Sequence, residues 1–273
     1  MDSWAEVADR VFVRRHASLD LNVTLVVGEG ACLVVDTRSD EAEGAELAAA
    51  VRAVTPAPWT VVNTHFHYDH AFGNAAFRPA AIWGHRRCAE VLGGPEGVAM
   101  RERIAGRHRA AGESAAADRI AAAALDAPDN LVDRGADLDV GGRGVQLRYL
   151  GRGHTDSDLV VRVPDADLLV AGDLVEEGAP PQFGDGFPVD WPATLDALLE
   201  LVTGAVVPGH GAVVDAAFVR AQGAELAELA ATARQGHAEG RPAADTARAL
   251  PSFGDFALQA VERAYLQLDG SRA

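Results

Sequence analysis

The segment Thr64-His65-Phe66-His67-Tyr68-Asp69-His70 constrains this chain more than any other. Four side chains able to hold a metal, His65, His67, Asp69 and His70, fall within six residues, directly after the apolar run Trp59 to Val62. Neutral imidazole and carboxylate are the donors that a borderline cation such as zinc takes. Helical geometry does not explain the spacing, because His65 and His67 stand two apart. On an extended segment residues two apart point the same way, so both imidazoles can face one ion. Asp69 and His70 follow at a turn into a small predicted helix over Ala71 to Ala76, where they can reach a second ion. Solvated loop histidines are the plain alternative. Chance rarely places three of nine histidines and an aspartate in such a hexad.

Around this motif the hydrophobic pattern alternates between strands and helices. Val11 to Val13, Asn22 to Val27 and Cys32 to Val35 read as a meander, with Gly28-Glu29-Gly30 a tight turn. Glu41 to Val54 has helical spacing and good helix formers. Trp59 to Val62 reads as the buried strand that delivers the histidines, Ala80 to Trp83 as another strand, and His85 to Leu92 as a short helix. Gly97 to Leu125 is Ala- and Arg-rich and helical, broken near Gly112, and could cover a site as a flap. Four further strands are expected over Ala136–Val140, Val145–Tyr149, Leu159–Val163 and Leu168–Ala171. A helix over Asp190–Val202 and a short strand over Ala205–Val207 follow, and the rest is mostly helix. From order alone, this is two β-rich layers flanked by helices.

A chain of 273 residues exceeds an average domain but fits one large α/β unit. Formal charge is −16, from 40 acidic and 24 basic residues, which argues against nucleic acid as a partner. All the basic residues are arginine, so no lysine can act as a nucleophile or a carboxylate clamp. No apolar run approaches the ~20 residues of a membrane span, and Met1 to Asp9 has no signal-like apolar core. The expectation is a cytoplasmic protein acting on a small molecule. Cys32 and Cys88 form no metal motif, and Cys32 reads as core.

The HxHxDH run, with three later motifs, resembles the metallo-β-lactamase superfamily. Gly151-Arg152-Gly153-His154-Thr155-Asp156-Ser157 matches the family's third histidine loop. Ala171-Gly172-Asp173-Leu174 matches its acidic or cysteine ligand, and Val207-Pro208-Gly209-His210-Gly211 its last histidine. The match runs from about Val11 to Val214, in family order. It implies an α+β fold, the αββα sandwich of two mixed sheets flanked by helices, with metals in a cleft along one edge. Residues 1–214 would form the catalytic domain, and 215–273 a helical extension packed on it.

The same resemblance implies a ligand set. His65, His67 and His154 would hold one ion, Asp69, His70 and His210 a second, and Asp173 would bridge them. Seven ligands exceed what one tetrahedral zinc needs, so two zinc ions are expected, with iron or manganese as alternatives. The implied chemistry is hydrolysis of a small ester, thioester, lactone or lactam by a hydroxide held between the ions, with Asp69 both ligating and orienting it. β-Lactam hydrolysis as the main activity, or a mononuclear iron sulfur dioxygenase, are the alternatives. Broad-spectrum lactamases carry Cys where Asp173 stands, and a Lys where this chain has Glu176. Poor turnover of carboxylate-bearing β-lactams is therefore expected.

The remaining candidates concern the substrate. Tyr68 within the motif, and Phe183, Phe187 and Trp191 in the Gly/Pro/aromatic stretch after Asp173, are candidate pocket lining, with core packing as the alternative. Asp36 ends a strand near the expected site and reads as a supporting or turn residue. His85 reads as structural, and His16, His108 and His237 as surface residues.

Overall fold

Two β-sheets face each other and helices cover both outer surfaces; the computed structural model describes residues 3–270. The first sheet holds β1 (Ala5–Ala8), β2 (Val11–Arg15), β3 (Asn22–Val27), β4 (Cys32–Val35), β5 (Trp59–Val62), β6 (Ile82–His85) and β7 (Asn130–Val132), in chain order. β1 to β4 pair antiparallel, and β4 to β7 pair parallel. The second sheet holds β8 (Gly135–Val140), β9 (Arg143–Tyr149), β10 (Leu159–Val163), β11 (Leu168–Glu176) and β12 (Ala205–His210), ordered β12-β11-β10-β9-β8. Only β11 and β12 are parallel there.

Parallel neighbours need crossovers, and helices provide them. α1 (Glu41–Val54) links β4 to β5; Asp40 caps it by accepting the amides of Ala42 and Glu43 at 2.9 Å. After β5 comes α2 (Tyr68–Ala71), a single turn. α3 (Arg86–Leu92), α4 (Pro95–Ala110) and α5 (Ser114–Ala122) lie between β6 and β7. α6 (Trp191–Leu199) joins β11 to β12, and α7 (Ala216–Ala238), α8 (Ala243–Ala247) and α9 (Ala257–Leu268) complete the chain.

The strand period of two builds the layers. Leu33 and Val35 of β4, with Leu159, Val161 and Val163 of β10, meet in the core between the sheets. The alternate residues Cys32 and Val34 face outward onto Leu47 and Val51 of α1. On the other sheet, Val160, Leu169 and Ala171 face Leu195 and Leu198 of α6, Leu226 and Leu229 of α7, and Val261 of α9. This is the αββα sandwich. The segment after residue 215 therefore packs on the outer face of the second sheet. A smaller cluster under α4 and α5 joins Met100, Ile104 and Ile120 to Phe66 and Phe72 beside the histidine motif.

Local differences from the sequence reading have physical causes. The helix expected over Ala71–Ala76 begins earlier, at Tyr68, and gives way to a 3-10 turn over Asn74–Phe77. Gly73 sits between them, close against the backbone of Thr37. The flap is two helices that meet at Gly112, whose φ of +82° ends the first. β1 has no buried residue and β7 has only three residues, so neither carries a readable pattern. His16 is buried beside Arg38 rather than at the surface. Cys32 and Cys88 are buried and unpaired with each other.

Candidate metal centre

The ends of β5, β11 and β12 and the loop between β9 and β10 converge at one edge of the sandwich. Each delivers part of a single polar cluster. One group comprises His65, His67, His154 and Asp173, and the adjoining one Asp69, His70 and His210, with donor atoms within 4.8 Å of one another in each. All seven sequence candidates are thus brought together.

The rings of His65, His67 and His154 stand nearly perpendicular to each other, at 80°, 84° and 90°, with centroids 4.7–4.9 Å apart. That is how three imidazoles surround one point. Asp173 lies between the groups. Its Oδ2 is 3.3 Å from Nε2 of both His154 and His210, and its Oδ1 is 3.2 Å from His70 Nε2. Asp69 Oδ2 is 3.5 Å from His210 Nε2 and 3.7 Å from His70 Nε2. Donors about 2.0–2.1 Å from a tetrahedral zinc stand roughly 3.3 Å apart, so these separations suit cation binding.

On His65, His70 and His210 the outward-facing nitrogen is held by donation, which leaves the other free to ligate, whereas His154 Nδ1 has no hydrogen-bond partner. His70 Nδ1–H donates to Asp36 Oδ2 at 2.8 Å. Asp36 also accepts the Thr64 amide and hydroxyl, both at 2.8 Å. With that hydroxyl committed, Thr64 Oγ1 accepts from His65 Nδ1 at 3.0 Å. His210 Nδ1–H donates to the Leu19 carbonyl at 2.8 Å. His67 is reversed: its Nε2 lies 3.0 Å from both oxygens of Asp185, and its Nδ1 lies 2.8 Å from His154 Nε2. Asp185 has no signal in the sequence: it carries no motif and lies in a loop 118 residues from its partner.

His65 Nε2 and Asp173 Oδ1 are buried with no hydrogen-bond partner. Such atoms are costly unless something satisfies them, and both aim into the cluster. A divalent cation meets that need. Burial first, then neighbouring histidines, keeps His65 well below the usual imidazole range. His154 falls to about 4, again chiefly from burial. Both are thereby neutral and ready to ligate. Burial also opposes charge on His70 and His210, but Asp173 and Asp69 outweigh it; His70 moves up, and His210 to about 10. Cation entry there must displace protons. Asp173 stays ionised, because the histidines around it overcome the burial that would raise its pKa.

Two glycines permit the close approach of Asp173. Gly172 has φ of +56°, and a Cβ there would meet Thr64 Cβ at 2.9 Å. A Cβ on Gly209 would overlap the Asp173 carboxylate itself. Gly209→Ala should therefore displace Asp173, destabilise the fold by about 1–3 kcal/mol, and lower metal content. Thermal unfolding with elemental analysis checks this; unchanged stability and metal content would refute it.

Above the cluster opens a cleft of about 910 Å³. Tyr68 and Phe187 line it. Phe183 and Trp191 do not: both are fully buried in the core behind the second sheet. Trp191 donates its indole N–H to the Leu174 carbonyl at 3.1 Å and packs edge-on to His154, 5.7 Å between centroids. These two aromatics support the site from behind rather than line it: Trp191 opens α6, and Phe183, in the loop before it, packs edge-on to Trp191 and Phe253, 5.8 Å between centroids in each pair. Glu176 lies at the cleft floor, only 5% exposed, 3.7 Å from His154 Nδ1. Burial, then Asp173, pushes its carboxyl up to about 8.

Comparison with known proteins agrees with this geometry. The family model described as the metallo-beta-lactamase superfamily matches residues 19–210. A metallo-beta-lactamase type 2 of Bacillus cereus is 32% identical over 84 residues, 29% of this chain and 33% of that protein. One from Bacteroides fragilis is 30% identical over 92 residues, 32% of this chain and 37% of that protein. The matched segment thus spans only about a third of these relatives. In fold, a metallo-beta-lactamase from Pontibacter korlensis superposes with a TM-score of 0.63 at 18% identity, covering 82% of this chain and 98% of that one. DIM-1 metallo-beta-lactamase does so with a TM-score of 0.62 at 18% identity, covering 83% and 97%. With its motifs, sandwich fold and family match in accord, the chain belongs to the metallo-β-lactamase superfamily.

Proposed function

We propose that this chain is a dinuclear zinc-dependent hydrolase acting on a small ester, thioester, lactone or lactam. The observation that carries the reading is two adjoining donor sets with Asp173 between them. Zinc bound there would supply Lewis acidity toward a carbonyl and a water acidified to near neutral pH. Asp173 keeps its charge, with Oδ2 between His154 of the first set and His210 of the second, and Oδ1 toward His70. Asp69 lines the cleft beside the second set, where its carboxylate can accept a hydrogen bond from the attacking water and aim it. Asp36 and Asp185 fix the rings of His70 and His67, so the donor atoms need little reorganisation.

The cleft volume suits a small molecule. No helix among the described residues is long and apolar enough to cross a membrane. A second reading, β-lactam hydrolysis as the main activity, draws on the names of the partial relatives. The complete second donor set argues against a mononuclear iron enzyme. Zinc-loaded protein assayed on ester, thioester, lactone and β-lactam panels tests the proposal. At least one acyl class should be cleaved with kcat/KM on the order of 10⁴ M⁻¹s⁻¹. Activity should vanish with chelator and return with zinc. No hydrolysis by fully zinc-loaded protein, or iron-dependent oxygen consumption instead, would overturn it.

A further inference from the structure

The cleft has an acidic floor and a cationic wall. Arg87, Arg103 and Arg107 line it from α3 and α4, and Arg263 from α9. Arg87 is committed to neighbouring acids: it lies 3.0 Å from Asp156 and also pairs with Glu96. Arg103 and Arg107 are different. Among the described residues neither has an ion pair or a side-chain hydrogen bond, and both are exposed toward the cleft. They stand four apart on one face of α4, where like charges repel. Their other neighbours three and four residues away are Ala99, Met100, Gly106, Ile104, Ala110 and Ala111, none acidic. Arg263 donates Nε and Nη2 to the Gly186 carbonyl at 3.2 and 2.8 Å, which orients the guanidinium and leaves Nη1 without a hydrogen bond among the described residues.

Asp185 is the carboxylate whose field reaches both Arg103 and Arg263. Its two oxygens are already engaged by His67 at 3.0 Å. In a chain with 40 acidic and 24 basic residues, uncompensated guanidinium groups in one cleft mark a place for an anion from outside. A planar guanidinium fork matches the oxygens of carboxylate and phosphate. The arginines sit on helices, not on the strand ends that carry the metal-ligand candidates.

We propose that Arg103, Arg107 and Arg263 form an anion subsite, and that the substrate carries a carboxylate or phosphate group remote from the bond that is cleaved. The second half of this statement rests on the hydrolase reading; the first half does not. Three aryl esters that differ only in a distal carboxylate, phosphate or carboxamide test it on zinc-loaded protein. The charged esters should exceed the carboxamide in kcat/KM by about tenfold or more, chiefly through KM. In R103Q/R107Q that ratio should fall toward one, and in R103K/R107K it should be partly kept. Binding of the matching non-hydrolysable ethers is measured in parallel by calorimetry, at low and high salt. Wild type should bind the charged ethers more tightly, with the advantage shrinking in salt and in R103Q/R107Q. If no ester is cleaved, the hydrolase reading falls and the ether binding still decides the subsite. Equal affinity for charged and neutral ethers in wild type, or an undiminished preference in R103Q/R107Q, would overturn the proposal. Whichever of carboxylate and phosphate binds more tightly identifies the head group.

Discussion

Asp69→Asn should lower turnover by about 100-fold or more even at saturating zinc, a loss on the scale of removing a placed acid–base group. The residue stands in the first turn of α2, nearly buried, with one oxygen 3.5 Å from His210 Nε2. It also lines the cleft, so its carboxylate faces both the second donor set and any bound substrate. Asparagine keeps the size and one carbonyl oxygen but loses the charge and one acceptor. If Asp69 only ligates, extra zinc restores the rate. If it also aims the attacking water, the rate stays low with the metal complete. Steady-state kinetics and metal content measured on the same samples separate the two. Full activity after zinc restoration would remove the orienting role.

Asp173→Ala and His154→Ala should lose their ions in opposite order. Asp173 lies within 3.3 Å of donors in both sets, and its charge is the one placed between the two sets. Without it the second set keeps Asp69, His70 and His210, while His65, His67 and His154 remain a complete triad. The second ion should then weaken by more than the roughly 10–100-fold that loss of an outer partner causes. His154→Ala breaks the triad instead, leaving His65 and His67 with Asp173. Zinc titration of each variant gives the order directly. Equal loss of both ions in both variants would show that the two sets do not act separately.

The parts of the molecule legible in the sequence are those with a local signature. The alternation in Leu159–Val163 puts Leu159, Val161 and Val163 on the inner face and Val160 on the outer, as a period of two requires. The histidine pair two residues apart could be read because an extended backbone aligns such side chains. Other features had no local signal. Asp185 matters through a contact with a histidine 118 residues away; Asp36 is readable as a supporting residue at a strand end, but nothing local points to His70, 34 residues on, as its partner. Phe183, Phe187 and Trp191 share one aromatic-rich stretch, and only the turn into α6 decides that Phe187 lines the cleft while the other two are core. The arginine wall joins α4 to α9, elements over 140 residues apart, so only the fold brings it together.

Metal content per chain in active protein tests the central claim most directly. Protein purified without added metal, then titrated with zinc while activity is followed, should reach maximal rate at two ions per chain. The second set should fill last and release protons, because His70 and His210 hold them until a cation enters. Full activity at one ion per chain, unchanged by further zinc, would contradict the dinuclear account.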